Sequence, residues 1–291
     1  MQVKSGEAVL ELKSPQQIYD ELKDSDFAAS RIPELEFTEG AEASAKINLV
    51  TGKNKEATFE PEIDRYTVKG DLEDLEITQL TYLIFSAAER EREKQGKYTF
   101  HGSGVSSDKG VLFLGHPNSG KTASSLTMAL DFDYDFVGDD RVMVNDKQEI
   151  IGGNKLVPLN HYNFESLGLE KYGFTKPPKG EEKCVERSRF GNPSQTEIDL
   201  IAFPEILQKD ELEVREMSDK EATFRLFQDV SPTARTSGYV LLDWDQPYPS
   251  FDSEDIAQLR YDNMKTLAND TDVVELYGTL EDITSWVDQQ Y

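Results

Sequence analysis

Residues Gly115, His116, Pro117, Asn118, Ser119, Gly120, Lys121 and Thr122 follow the pattern G-x-x-x-x-G-K-[S/T]. The spacing has a physical reason. A loop closed by glycines can turn successive backbone N–H groups around an anion, and the helix that follows adds its positive N-terminal end. A lysine at the seventh position supplies a point charge for the outer phosphates of a nucleotide, and the next hydroxyl can reach a magnesium ion that bridges them. The motif predicts a phosphate-binding loop, with ATP and Mg2+ as its ligands. Lys121 is its only Lys or Arg, so in this anionic chain the loop must create its own local positive field.

A second group follows closely in Gly138-Asp139-Asp140-Arg141. One helix and one strand fit between it and the loop, which brings the strand carrying the two carboxylates near the phosphates. Adjacent carboxylates at a strand end can divide phosphoryl transfer between them. One holds magnesium, directly or through water, and the other accepts the proton of an attacking hydroxyl. Sequence alone leaves open which does which, so Thr122, Asp139 and Asp140 are all candidate metal ligands. His101, on an extended segment upstream, is a candidate to orient an Asp or steady the transferred group. His116 lies inside the loop, where its backbone matters more than its ring, and His161 has no supporting context. Three scattered histidines do not have zinc-ligand spacing.

These residues need elements to position them. Gly110–Leu114 reads as a buried strand entering the loop, and Ala123–Leu130 as the helix leaving it. Tyr134–Val137 is a strand running into the Asp pair, continued by Val142 and Val144. Upstream, Ala8–Leu12, Ala57–Glu60 and Tyr66–Val68 read as strands, and Ser14-Pro15 opens a short helix through Leu22. The acidic stretch Glu34–Ala45 reads as a loop. Ile77, Leu80, Leu83, Ile84, Ala87 and Ala88 lay one apolar stripe on a helix from about Asp74 to Gln95, closed by Gly96. Its tail, Glu89 to Lys94, reads as a solvated mixed-charge end. The Gly-, Pro- and charge-rich stretch from Gly152 to Gln195 reads as a mobile insertion facing the substrate. Ile198–Ile206 is a further buried strand, and Ser218 begins a capping-box helix through about Gln228. Two more apolar segments follow, Gly238–Trp244 and Leu276–Trp286.

The chain has 291 residues, with 56 acidic against 31 basic side chains and a formal charge of −25. That balance opposes wrapping nucleic-acid phosphates or docking on an anionic membrane, and suits a salty cytoplasm. No segment has the apolar length of a signal peptide or a bilayer span, so the expected setting is cytoplasmic. The one cysteine, Cys184, excludes an internal disulfide framework and any multi-thiolate metal site. Its acidic neighbours do not favour a reactive thiolate.

From about Phe100 to Val144 the chain resembles the C-terminal catalytic domain of HPr kinase/phosphorylase. The matching pieces are His101-Gly102, Gly110–Leu114, Gly115–Thr122 and Asp139-Asp140-Arg141-Val142, with weaker similarity to about residue 230. Phosphoenolpyruvate carboxykinase, of the same wider superfamily, has a similar loop. The resemblance implies a mixed α/β fold with a P-loop HPr-kinase-like core over residues 96–230. A small N-terminal α+β portion (1–95) would precede it, and a C-terminal mixed α/β tail (231–291) would pack on it. It also implies that His101, Lys121, Thr122, Asp139 and Asp140 occupy the family's functional positions. The expected activity is ATP- and Mg2+-dependent transfer of the γ-phosphoryl group to a Ser or other hydroxyl on a protein, peptide or small molecule. The family's Glu-Ile-Arg-Gly-Leu-Gly segment has no counterpart, and Gly152–Pro158 stands in its place. Phosphorolysis and HPr itself as acceptor are therefore not expected. Lys155, Arg187, Arg189, Arg215 and Arg235 are basic groups available to complete the site. The alternative is a non-catalytic ATP-binding sensor of the same fold; an NTPase motor or transporter component and a carboxykinase fit less well. The resemblance leaves homo-oligomer formation open.

Overall fold

The computed structural model describes residues 1–209, 211–234 and 250–290, so Arg235 and the apolar segment Gly238–Trp244 lie outside the described residues. The fold is mixed α/β with several mixed sheets, and the chain forms two compact units. One comprises Met1–Thr99 with Leu226–Met264, the other Phe100–Arg225 with Lys265–Tyr291. No helix among the described residues is long and apolar enough to cross a membrane.

The first unit contains β1 (Gln2–Ser5), β2 (Ala8–Lys13), α1 (Gln16–Lys23), α2 (Asp26–Arg31), β3 (Leu35–Thr38), β4 (Ala45–Thr51), β5 (Glu56–Glu60), β6 (Arg65–Gly70) and α3 (Ile77–Glu93). Its six strands form one sheet in the order β3-β1-β2-β4-β6-β5. Burial alternates along β1, β2, β4 and β6, so one face of the sheet enters the core. The acidic stretch read as a loop contains β3, which pairs antiparallel with β1 through Val3↔Phe37. Four residues at a sheet edge carry too short an alternation to stand out among acidic neighbours.

The charged end of α3 is also unlike the sequence reading. Glu89, Arg92 and Glu93 are fully buried, and Arg90 and Glu91 nearly so. Glu89 accepts from the Thr99 amide at 2.7 Å and pairs with Arg92, which also reaches Ser5. Arg260 donates to Glu93 at 2.6 Å and to Asp252 at 2.9 Å. Burial pushes the Glu93 carboxyl up to about 8, while the Arg260 guanidinium pulls the other way. The run is buried because a partner far along the sequence covers it. Local charge pattern cannot report such a partner. Phe251 joins the same core edge-on to Tyr66, with ring centroids 4.4 Å apart.

The strand β7 (Tyr98–Phe100) leads into the second unit. There follow β8 (Ser103–Ser106), β9 (Gly110–Phe113), α4 (Lys121–Asp131), β10 (Asp135–Gly138), β11 (Val142–Val144), β12 (Glu149–Gly153), β13 (Leu156–Asn160), α5 (His161–Ser166), β14 (Glu182–Glu186), β15 (Thr196–Ile206) and β16 (Glu213–Glu216). Helices α6 (Asp219–Ala234) and α7 (Glu254–Asp270), strand β17 (Asp272–Gly278) and helix α8 (Leu280–Gln290) complete the described chain. The centre of the sheet is parallel. β15 lies between β9 (Ile201↔Leu112) and β17 (Ile201↔Val273). Antiparallel β8 and β10 extend it beyond β9, and β16 extends it beyond β17. All four residues of β9 are buried, as a central parallel strand requires.

The stretch read as a mobile insertion is packed into the core of the second unit. β13 and β14 pair antiparallel from Leu156↔Glu186 to Asn160↔Glu182. Asn160 caps α5 by exchanging side-chain hydrogen bonds with Asn163. Val157, Leu159, Phe164, Leu169, Phe174, Val185 and Phe190 are buried with Phe136 and Leu126. These apolar residues occur singly among Gly, Pro and charged residues, so their density conceals a packed layer. Cys184 is half-buried on β14.

Candidate functional site

The loop 115–122 links the end of β9 to the start of α4. Its backbone takes conformations that glycine tolerates best, with φ of 131° at Gly115 and 112° at Gly120, and Asn118 at 65°. A Cβ on Gly120 would stand 2.4 Å from Ile206 Cδ1, so the position requires glycine on spatial grounds as well. The amide of Ile206 donates to Ser119 O at 3.1 Å, tying the loop to the end of β15. Gly120 is the N-cap of α4 and offers no side-chain acceptor for its first turn, the arrangement that suits an outside anion.

Lys121 is 8% exposed, and its ammonium donates to the carbonyls of Gly115 and His116, each at 2.9 Å. The lysine therefore folds back across the loop that contains it. The side chain of Ser119 is buried, and its hydroxyl has no hydrogen-bond partner among the described residues. His116, Pro117 and Asn118 are exposed at the loop's outer edge.

The structure brings the carboxylates to this loop. Thr122 Oγ1 donates to Asp139 Oδ1 at 2.8 Å. Asp139 is 5% exposed; burial and the neighbouring Asp140 charge push its carboxyl up to about 6, against the pull of the Thr122 hydroxyl and the Lys121 charge. Asp140 has φ of 62°, a conformation rare for a residue with a side chain. The Arg141 amide donates to Asp139 O at 2.7 Å across it, closing a tight turn. This turn sends the two carboxylates in different directions, one inward to Thr122 and the other toward His101. His101 Nε2 lies 3.4 Å from Asp140 Oδ1, with both side chains partly exposed. The next residue, Gly102, packs tightly against the end of β9, where a Cβ would stand 2.6 Å from Phe113 O.

Sequence reasoning did not identify the residues that hold this turn. Asn154 is fully buried, and its Oδ1 accepts the Asp139 amide at 2.8 Å. Its Nδ2 donates to Leu156 O at 2.9 Å. Gly138 and Gly153 allow the two strand ends to meet, because a Cβ on Gly138 would lie 3.1 Å from Gly153 Cα. Ser103 Oγ donates to Gly138 O at 2.9 Å from β8. The one available signal was the unusual run Gly152-Gly153-Asn154.

The basic candidates separate. Arg187 Nη1 donates to Val137 O at 3.2 Å and Gly153 O at 3.3 Å, beside the Asp139 turn, and Lys155 follows Asn154. Arg189 stacks over Phe174, 3.9 Å from the ring centroid. Arg215 is engaged with Glu221 and Glu275. His161 meets Pro177 O and Glu165.

Among the described residues no group of three or more His, Cys, Asp and Glu side chains is placed to hold a metal ion. A hydroxyl beside one carboxylate is a hard-oxygen pair, suited to magnesium that takes its remaining ligands from water and phosphate oxygens. No protein-family model matches this chain, and no curated protein matches it either.

Proposed function

We propose that the second unit is a P-loop phosphotransferase core that binds magnesium–ATP at residues 115–122 and transfers its γ-phosphoryl group to a hydroxyl acceptor. The observation that carries this reading is the 2.8 Å bond from Thr122 to Asp139, next to a loop whose lysine is turned onto its own carbonyls. The β- and γ-phosphate oxygens take over the ammonium of Lys121 from Gly115 and His116. The buried Ser119 hydroxyl and the open first turn of α4 are polar groups that an anion in the loop can engage.

Thr122 and Asp139 are the residues that would hold magnesium, which supplies charge neutralisation to the phosphates when bound. Ionised Asp139 is the form this role needs, and a cation beside it favours that form. Asp140, more exposed and facing His101, takes the acceptor's proton as the hydroxyl attacks, and the His101 ring orients it. The turn held by Asn154 and Arg141 keeps the two carboxylates apart in these roles. The resemblance to the HPr kinase catalytic domain supports functional roles for the two acids as a pair.

Lys121→Ala is the direct test. Binding of a non-hydrolysable ATP analogue with Mg2+, followed by calorimetry, is expected to fall by at least about a hundredfold. Unchanged affinity would remove the nucleotide reading. Asp140→Asn, which tolerates the same backbone conformation, is expected to bind the analogue normally and lose transfer of label from γ-labelled ATP to acceptor. If the native chain binds the analogue and transfers nothing to any acceptor fraction, the protein is a sensor rather than a kinase.

A further inference from the structure

Beside the Asp139–Asp140 turn the second unit has a cavity of about 450 Å³, whose lining includes Lys155, Glu186, Arg187, Ser188 and Asn192. Its walls are the start of β13 and the segment after β14, and both are tied to the strand that carries the carboxylates. The Asn192 amide donates to Asp135 Oδ1 at 3.0 Å, at the beginning of β10. Arg187 bonds Val137 O near the end of β10 and Gly153 O near the end of β12. Lys155 is one residue beyond Asn154, which grips the Asp139 amide. Two of the lining residues are thus tied to β10 between Asp135 and Val137, two residues before Asp139.

The charge of this lining contrasts with that of the whole protein. The chain carries −25, yet Lys155 and Arg187 stand together in this lining, with Glu186. An anion is repelled at long range by such a protein, so cations held in place are needed to retain one. The Arg187 guanidinium is anchored on two backbone carbonyls, which fixes its position before any ligand arrives. Ser188 and Asn192 add neutral hydrogen-bonding groups to the rim.

We propose that this cavity is the acceptor subsite, and that it holds the oxyanion, carboxylate or phosphate, of a small hydroxylated molecule. The assignment rests on the phosphoryl-transfer reading above. With the oxyanion held by Lys155 and Arg187, the acceptor's hydroxyl faces the Asp pair. Its oxygen forms a bond to the γ-phosphorus as the bond from that phosphorus to the β,γ-bridging oxygen breaks. The electron pair of that bond leaves on the diphosphate, and the hydroxyl proton passes to the carboxylate of Asp140.

The full chain is saturated with Mg2+ and the non-hydrolysable ATP analogue, so that the loop's own anion site is filled. It is then titrated calorimetrically with glycerate, glycerol 3-phosphate and glycerol. Glycerate or glycerol 3-phosphate is expected to bind, the tighter of the two identifying the oxyanion, and glycerol is expected not to bind. Lys155→Gln should weaken the charged probe about tenfold and Lys155→Arg should retain it, with analogue affinity unchanged in both. Arg187 also braces two strand ends, so Asn192→Ala, at the rim, is the second variant and should weaken the same probe. In turnover, Lys155→Gln should raise the acceptor KM and leave the ATP KM unchanged. Charged probes that bind no better than glycerol, or that are indifferent to Lys155→Gln, overturn the assignment. The titration is repeated without the analogue. If the analogue does not bind but the probes still depend on Lys155, the nucleotide reading falls and the cavity stands as an anion site.

Discussion

Replacing Asp139 by Asn tests what the buried carboxylate costs the folded protein. Burial and the Asp140 charge hold this carboxyl up to about 6, against an ordinary value of 3.8. In the unfolded chain it returns to the ordinary value, so between those two values the folded protein binds the extra proton. The contribution of this group to stability is therefore greatest at low pH and falls as pH rises from 3.8 through about 6. At 1.36 kcal/mol per unit, a rise of roughly two units leaves the ionised folded state disfavoured by ~3 kcal/mol above about pH 7. Asn keeps an oxygen for the Thr122 hydroxyl and cannot ionise. Asp139→Asn is therefore expected to be more stable than the native chain by up to ~3 kcal/mol near pH 8, with the gain vanishing by about pH 4. Urea unfolding followed by circular dichroism is the appropriate assay, because guanidinium is a salt and would screen a chain of this charge. A variant less stable at pH 8, or one whose stability difference does not change with pH, would refute the reasoning. The same variant should lose Mg2+-dependent nucleotide affinity. In the native protein that affinity should weaken as pH falls through about 6, since magnesium needs the ionised carboxylate.

Gly120→Ala combines a φ of 112° with a Cβ placed 2.4 Å from Ile206, so a loss of ~1–3 kcal/mol on urea unfolding is expected, with weaker nucleotide binding. Arg260→Met leaves Glu93 and Asp252 without the guanidinium that joins them and should cost ~3–5 kcal/mol. Adding Glu93→Gln should recover part of that loss, and no recovery would mean that packing rather than charge is decisive. With a net charge of −25, the urea midpoint should rise between low and about molar NaCl; a flat dependence would show that self-repulsion is unimportant.

Sequence alone determined the local parts of the candidate site. The glycines of the loop, Lys121 and Thr122 are specified by spacing, because backbone conformation and the first turn of a helix are short-range matters. The apolar run of β9 and the strand before Asp139 were readable for the same reason, since burial of a central parallel strand appears directly as consecutive apolar residues. What tertiary structure decided was everything that depends on a distant partner. Neither the contact of Asn154 with Asp139 nor the closeness of Gly138 to Gly153 follows from any local pattern. The insertion after Gly152 looked loose because its core residues are separated in sequence and meet only when β13 pairs with β14. The end of α3 is the clearest case. Its charge run has the composition of a solvated surface, and partners from other parts of the chain, Ser5, Thr99, Asp252 and Arg260 among them, convert it into a buried ionic core. Charge pattern reports which groups are present; burial depends on what later packs over them, and that is settled by the fold.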